Sequence, residues 1–277
     1  MQNSNLINLT SVIVLIWHLC TALNAHEFWI EPDKFIVESD EKISANLKVG
    51  QMMNGVSYGY YPKRFNRFEL KTQDKIRPVS GRLGDKPAIN IKSQGNHLVT
   101  IIYSTTDSIV SYNEWPIFEK FLIEKSLMAV KAEHLVSNFP KTQFKEIYSR
   151  YAKTLIGSGN SHGKDQYVGL EIELVLNKNP YKEDMTNGLA ITLFYQGVPQ
   201  VNTQIEVFSR AADKKVRRDT IITNEYGRVT IEVSSQTDYM INAVIMRKPG
   251  ENKLPAKTSK QPIIWESLWA STSFRVP

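Results

Sequence analysis

Between Phe28 and about Thr106 the chain alternates apolar and polar residues with a period of two, which limits that region to half-buried β-strands. Phe35-Ile36-Val37, Ile43 to Val49, Ile89-Asn90-Ile91 and His97 to Tyr103 carry the pattern. Turn-forming residues separate them at Asp40-Glu41, Gly84-Asp85 and Gln94-Gly95-Asn96. The same pattern returns after Tyr167, in Leu170 to Leu176, Leu189 to Tyr195, Thr203 to Phe208, Asp219 to Thr223, Arg228 to Val233, Tyr239 to Met246 and Trp265 to Phe274. Short strands at this spacing, with turns such as Asn187-Gly188, are those of a β-sandwich.

The block between these regions has a different period. Phe118, Phe121, Leu122, Leu127 and Val130 recur at helical spacing behind Trp115-Pro116. Pro140, then Phe144, Ile147, Tyr148, Tyr151 and Leu155, predicts a second helix, with Gly157 ending it. The Gly/Ser-rich stretch from Gly157 to Gly163 reads as a flexible linker. Lys248 to Gln261, rich in Lys and Pro, reads as a mobile loop. The fold class expected is therefore mainly β: two immunoglobulin-like or transthyretin-like sandwiches bridged by a helical pair. The expected divisions are 1–25, 26–110, 111–163 and 164–277.

Residues 1–25 read as a secretory signal peptide. Val12 to Leu19 is an apolar run too short to span a membrane, and small residues close it at Ala22 and Ala25. Cleavage after Ala25 makes His26 the first residue and places the protein in the periplasm. Cys20 is the only cysteine and leaves with the leader, so the mature chain has neither disulfides nor thiolate ligands. The net charge of +6 shows no aromatic-interleaved basic stripe, and no nucleic-acid partner is expected. The cluster Lys214, Lys215, Arg217 and Arg218 reads as a solvated hairpin end.

An amino-terminal histidine offers its amine and its Nδ1 to one metal ion. With one further imidazole this makes a three-nitrogen site suited to Cu(II) or Ni(II). His97, entering a strand in the same domain, is the expected partner of His26. His134, beside Lys131, Ala132 and Glu133, reads as part of a solvated helix face, and His162 lies in the linker. Glu27, Glu31 and Glu266 are possible oxygen donors, while Trp29, Trp265 and Trp269 read as core anchors. The chain has no H-E-x-x-H, Walker loop or dinucleotide fingerprint, and a non-catalytic protein is expected. A copper oxygenase with a histidine brace would share the His26 arrangement but needs a second brace histidine.

Several stretches in order resemble one family. His26-Glu27-Phe28-Trp29-Ile30-Glu31-Pro32 is similar to the start of mature DUF4198 proteins. Phe121 to Leu127 resembles that family's "YLEEEGL" stretch, and Tyr148 to Leu155 its "Y-x-R-Y-A-K-A-L" helix. Gly169 to Leu174 with Asn179-Pro180, Thr223 to Arg228, and Trp265 to Ala270 match further family stretches. The resemblance implies an exported bacterial protein tied to nickel or cobalt uptake, with a membrane transport component as partner. One departure bears on the metal: the family's late "A-V-H-M" strand reads Ala243-Val244-Ile245-Met246 here. A metal-free envelope module that binds carbohydrate or protein is the alternative.

Overall fold

A computed structural model describes residues 26–73, 75–92, 95–253 and 261–277; the leader and half of the Lys/Pro-rich loop, residues 254–260, fall outside the described residues. The first region contributes β1 (Glu27–Pro32), β2 (Ile36–Val37), β3 (Ile43–Gln51), β4 (Asn54–Tyr58), β5 (Phe65–Thr72), β6 (Lys75–Pro78), β7 (Ile89–Ile91), β8 (Leu98–Thr105) and β9 (Ser108–Tyr112). Two helices follow, α1 (Trp115–Glu124) and α2 (Met128–Val136). A long strand β10 (Phe144–Ser158) leads to β11 (Ile172–Leu176), β12 (Leu189–Tyr195), β13 (Val198–Pro199) and β14 (Gln204–Arg210). The rest are β15 (Val216–Ile222), β16 (Arg228–Ile231), β17 (Thr237–Arg247) and β18 (Ile263–Val276).

The molecule is mainly β, as the alternation requires. One ten-stranded sheet runs β15-β14-β17-β18-β10-β8-β5-β6, with β2 and β9 also paired to β10. A four-stranded sheet of β1, β3, β4 and β7 packs on one half of it. Ile30, Ile43, Leu47, Phe68, Ile89 and Ile101 fill the space between them. A second four-stranded sheet of β11, β12, β13 and β16 covers the other half, around Ile172, Leu189, Ile205, Ile241 and Phe274. Two immunoglobulin-like sandwiches therefore share one continuous sheet. Each fully buried aliphatic or aromatic side chain in these cores is worth roughly 1.5–3 kcal/mol of transfer free energy.

Three local expectations change. The segment read as a second helix is β10. It pairs in parallel with β18 from Lys145↔Ile263 to Thr154↔Ser273, and antiparallel with β9 and then β8. The strand pattern is obscured because Glu146, Ser149, Lys153 and Thr154 are buried polar residues. A sequence reading places such residues outside, which leaves only the helical spacing of Phe144, Ile147, Tyr151 and Leu155.

The two helices both lie within residues 115–136, where a single helix is expected from the sequence. Pro116 sits in the first turn of α1, where no intrahelical N–H is lost, and Phe118, Phe121 and Leu122 form the buried face. Ser126, at φ 58°, breaks the helix there and starts α2 two residues later.

The Gly/Ser segment is also fastened. Gly159 N–H donates to Val37 O, and Asn179 Nδ2 donates to the carbonyls of Ser161 and Gly163, both at 2.8 Å. A Cβ on Gly157 would stand 2.4 Å from Ser161 Oγ, so the glycine there serves close approach and ends no helix.

Candidate functional site

The structure separates the two histidines expected to share a metal. His26 is exposed at the head of β1, and its carbonyl accepts from the Arg150 guanidinium at 3.3 Å. The His97 carbonyl accepts from Ser158 N–H at 3.0 Å. The anchor Ser158 stands eight residues beyond the anchor Arg150 on β10, roughly 26 Å at a rise of about 3.3 Å per residue. The reach of one arginine side chain does not close that gap to the ~2 Å of a metal–nitrogen bond. His97 instead bridges to His162, and its Nδ1 is 3.2 Å from Gln73 Nε2. Among the described residues no three His, Cys, Asp or Glu side chains stand close enough to hold a metal ion.

His134 is fully buried, contrary to the solvated face expected of it. Trp265 Nε1–H donates to His134 Nδ1 at 2.9 Å, which makes Nε2 the protonated nitrogen that donates to Pro140 O at 3.1 Å. Burial lowers its pKa from the ordinary value, and the neighbouring Lys248 and Lys141 push the same way. The three candidate carboxylates hold the fold together: Glu27 pairs with Lys125, Glu31 with Arg210, and Glu266 with Arg247 and Lys253. Trp29, Trp265 and Trp269 are buried, as anchors should be.

The linker also spells G-x-S-x-G over Gly159–Gly163, a pattern the linker reading passes over. A nucleophile elbow needs its serine on an exposed strand-to-helix turn beside a histidine base. Ser161 is 4% exposed, no helix follows it, and no histidine bonds its hydroxyl among the described residues.

A feature with the form of a binding site is a cleft of about 550 Å³ between the edge of the small N-terminal sheet and the large sheet. Phe28, Leu47, Val49 and Val56 form its apolar floor from β1, β3 and β4. Tyr58, Tyr61 and Tyr148 wall it; the first two are 48% and 40% exposed. Tyr103, behind them, is buried, which raises its hydroxyl pKa to about 12 and keeps it protonated. Ser57, Thr106 and Ser108 add hydroxyls.

Three cations enter the cleft: Arg64 and Lys86 at the exposed rim and Arg150 from β10. No Asp, Glu, Asn or Gln lines it, and among the described residues no carboxylate forms an ion pair with any of the three. The Arg150 guanidinium stacks on Tyr148, 4.8 Å from the ring centroid, and its Nε is buried without a hydrogen-bond acceptor. Desolvation draws its pKa below the arginine norm, with Tyr148, Tyr58 and Glu27 opposing, yet a guanidinium stays charged.

Elsewhere buried charge is answered. Lys153, fully buried, lies 2.9 Å from both Asp165 and Glu173, whose remaining lone pairs take backbone N–H groups of Leu176, Val168 and Leu170. Lys125 bridges Glu27 and Glu206, and Glu206 also accepts from Arg218 and Asn242. Sequence reasoning found none of the cleft residues. They come from strands and connecting loops scattered between Phe28 and Arg150, and the one local signal is the aromatic run Tyr58-Gly59-Tyr60-Tyr61.

Residues 23–247 match the family model described as "Domain of unknown function (DUF4198)". No curated protein shows significant similarity to the chain. Among solved structures, a tetra-tandem repeat from the extending region of a large adhesion protein aligns at 9% identity with a TM-score of 0.20. That alignment covers 91% of this chain and 50% of the other, so the chain spans half the length of that structure.

Proposed function

The chain belongs to the DUF4198 family, and we propose that it is an exported, periplasmic, non-catalytic protein that binds a small ligand in the tyrosine-walled cleft. One observation carries this reading: three cations face a ligand-sized cavity, and none has the carboxylate partner found beside Lys125 and Lys153. A volume of about 550 Å³ lies within the roughly 300–1,000 Å³ of small-molecule sites. No helix among the described residues is long and apolar enough to cross a membrane.

Tyrosine-ring resonances followed during titration with a panel of sugars, amino acids and organic acids test the cleft. Shifts centred on Tyr58, Tyr61 and Tyr148, with Tyr239 in the distant core unmoved, are expected. Shifts confined to other surfaces, or none, would overturn the cleft as the binding site. Intact mass of protein recovered from a periplasm should begin at His26; retention of residues 1–25 would overturn export by cleavage.

Nickel, cobalt or copper handling with a membrane transport component rests on His26 alone. Its ring is exposed while its carbonyl is held by Arg150, which leaves a freed amine and the imidazole to chelate a metal together. A chain starting at His26 should bind Cu(II) and Ni(II) more tightly than one with a preceding Met. Equal affinities would remove the metal role.

A further inference from the structure

We infer that the ligand of this cleft is a small organic oxyanion carried on a ring: a carboxylate, sulfonate or phosphate ester attached to an aromatic or alicyclic body. The inference rests on the cleft being the binding site and names what it selects.

The lining divides ligand chemistry by donor type. Arg64, Lys86 and Arg150 only donate hydrogen bonds, and hydroxyls such as Ser57 and Thr106 can donate as well as accept. Side chains that only accept are missing from the wall, as are the amides that read donor-and-acceptor edges of a base or a neutral sugar. A ligand rich in donors would leave its own N–H and O–H groups poorly paired here. One rich in acceptors meets three cations.

The floor sets the other half of the requirement. Val49 and Val56 lie under the walls of Tyr58, Tyr61 and Tyr148, a surface shaped for a flat apolar body. Val56 is 64% exposed and Tyr58 48% exposed, so part of this surface meets solvent until something covers it. A free inorganic anion would satisfy the cations and leave the floor wet. A neutral ring would cover the floor and leave the cations unpaired.

Arg150 is the placed cation of the three. Its backbone N–H donates to Thr105 Oγ1 at 2.9 Å, its guanidinium is fixed by the His26 carbonyl, and Tyr148 stacks on its face. It is therefore oriented before a ligand arrives, which lowers the ordering cost of binding. Arg64 and Lys86 at the rim supply attraction without fixed geometry.

Calorimetric titration with four probes tests the inference: benzoate, phenyl phosphate, benzyl alcohol and inorganic phosphate. Benzoate or phenyl phosphate should bind roughly ten- to a hundredfold more tightly than either half-ligand, the range expected of a charge-assisted hydrogen bond. The ratio between these two identifies the head group. Arg150→Gln should erase that advantage and Arg150→Lys should restore part of it. Tyr58→Ala should weaken both ring-bearing anions. Because Arg150 is half-buried, Arg64→Gln with Lys86→Gln provides a second test at the exposed rim, where weakening should be smaller and salt-dependent. Benzyl alcohol binding as tightly as benzoate, with both lost in Tyr58→Ala, would overturn the oxyanion and leave the cleft a binding site. Inorganic phosphate binding as tightly as phenyl phosphate would overturn the ring. Probe binding unchanged by every one of these substitutions, or no probe binding, would overturn the inference; in the first case the cleft falls with it.

Discussion

Arg150 and Lys153 stand three residues apart on one strand and meet opposite surroundings. Lys153 is enclosed by two carboxylates and is wholly buried. Arg150 faces a cleft with a carbonyl and a ring, and among the described residues no carboxylate forms an ion pair with it, Glu27 acting on it only from a longer range. The same strand builds both, so the difference lies in what the neighbouring sheets offer. Toward the second sandwich the chain supplies Asp165 and Glu173, and the cation becomes part of the frame. Toward the edge of the first sandwich no carboxylate lines the cleft among the described residues, and the cation stays without an ion-pair partner there.

The contrast can be broken most directly at Lys153. Lys153→Met should destabilise the protein by about 3–5 kcal/mol, because it leaves two buried carboxylates without their cation. Denaturant unfolding measures this, and a loss below about 1 kcal/mol would make Lys153 no more structural than Arg150.

Glu146, four residues before Arg150, sharpens the comparison through pH. It is buried against Tyr112 and Ser267, and desolvation raises its pKa to about 7 despite those two hydrogen bonds. A folded pKa above the unfolded value of 4.5 gives stability that is complete below pH 4.5 and is lost as pH rises through 7. Glu146→Gln should remove this slope and raise stability at pH 8, by at most about 3 kcal/mol. Parallel stability–pH curves for the two proteins would refute the buried, uncompensated carboxylate.

His134 gives the opposite slope. Its pKa is lowered, so below pH 6.5 the unfolded chain takes up a proton that the folded one refuses, and stability falls with falling pH. His134→Phe should abolish that contribution and cost about 1–3 kcal/mol by leaving the Trp265 Nε1–H without an acceptor. Urea titrations at pH 5.5 and 7.5 separate the two effects. The smallest change belongs to the cleft: Arg150→Gln should alter stability by less than about 1 kcal/mol, since no ion pair is lost. A loss as large as that of Lys153→Met would assign Arg150 to the frame.

The C-terminal strands are readable because turns such as Asn187-Gly188 separate them and their apolar residues alternate. The strand β10 was hidden because its buried positions include Glu146 and Lys153, whose partners lie on segments far away in sequence. Local periodicity has no access to such partners. His134 was misplaced for a related reason: the polar neighbours on its own helix point outward, while the Trp265 that receives it arrives 131 residues later. The strands β4, β5, β6 and β9 carry no such signal, and β4 supplies Tyr58 to the wall of the cleft. No motif spacing joins Tyr58 to Arg150, because the sheets bring them together.

The parallel pairing of β10 with β18 also bears on how this molecule is assembled. Lys145 waits for Ile263, 118 residues further along the chain, and β11 to β17 must be laid out before the partner arrives. Until then one edge of the middle strand, the one opposite β8 and β9, presents open N–H and C=O groups, the template on which foreign strands add. A chain that builds its centre last folds slowly, since long-range closure precedes the contacts that reward it. Between synthesis and completion, that open edge of β10 is a stretch that needs shelter.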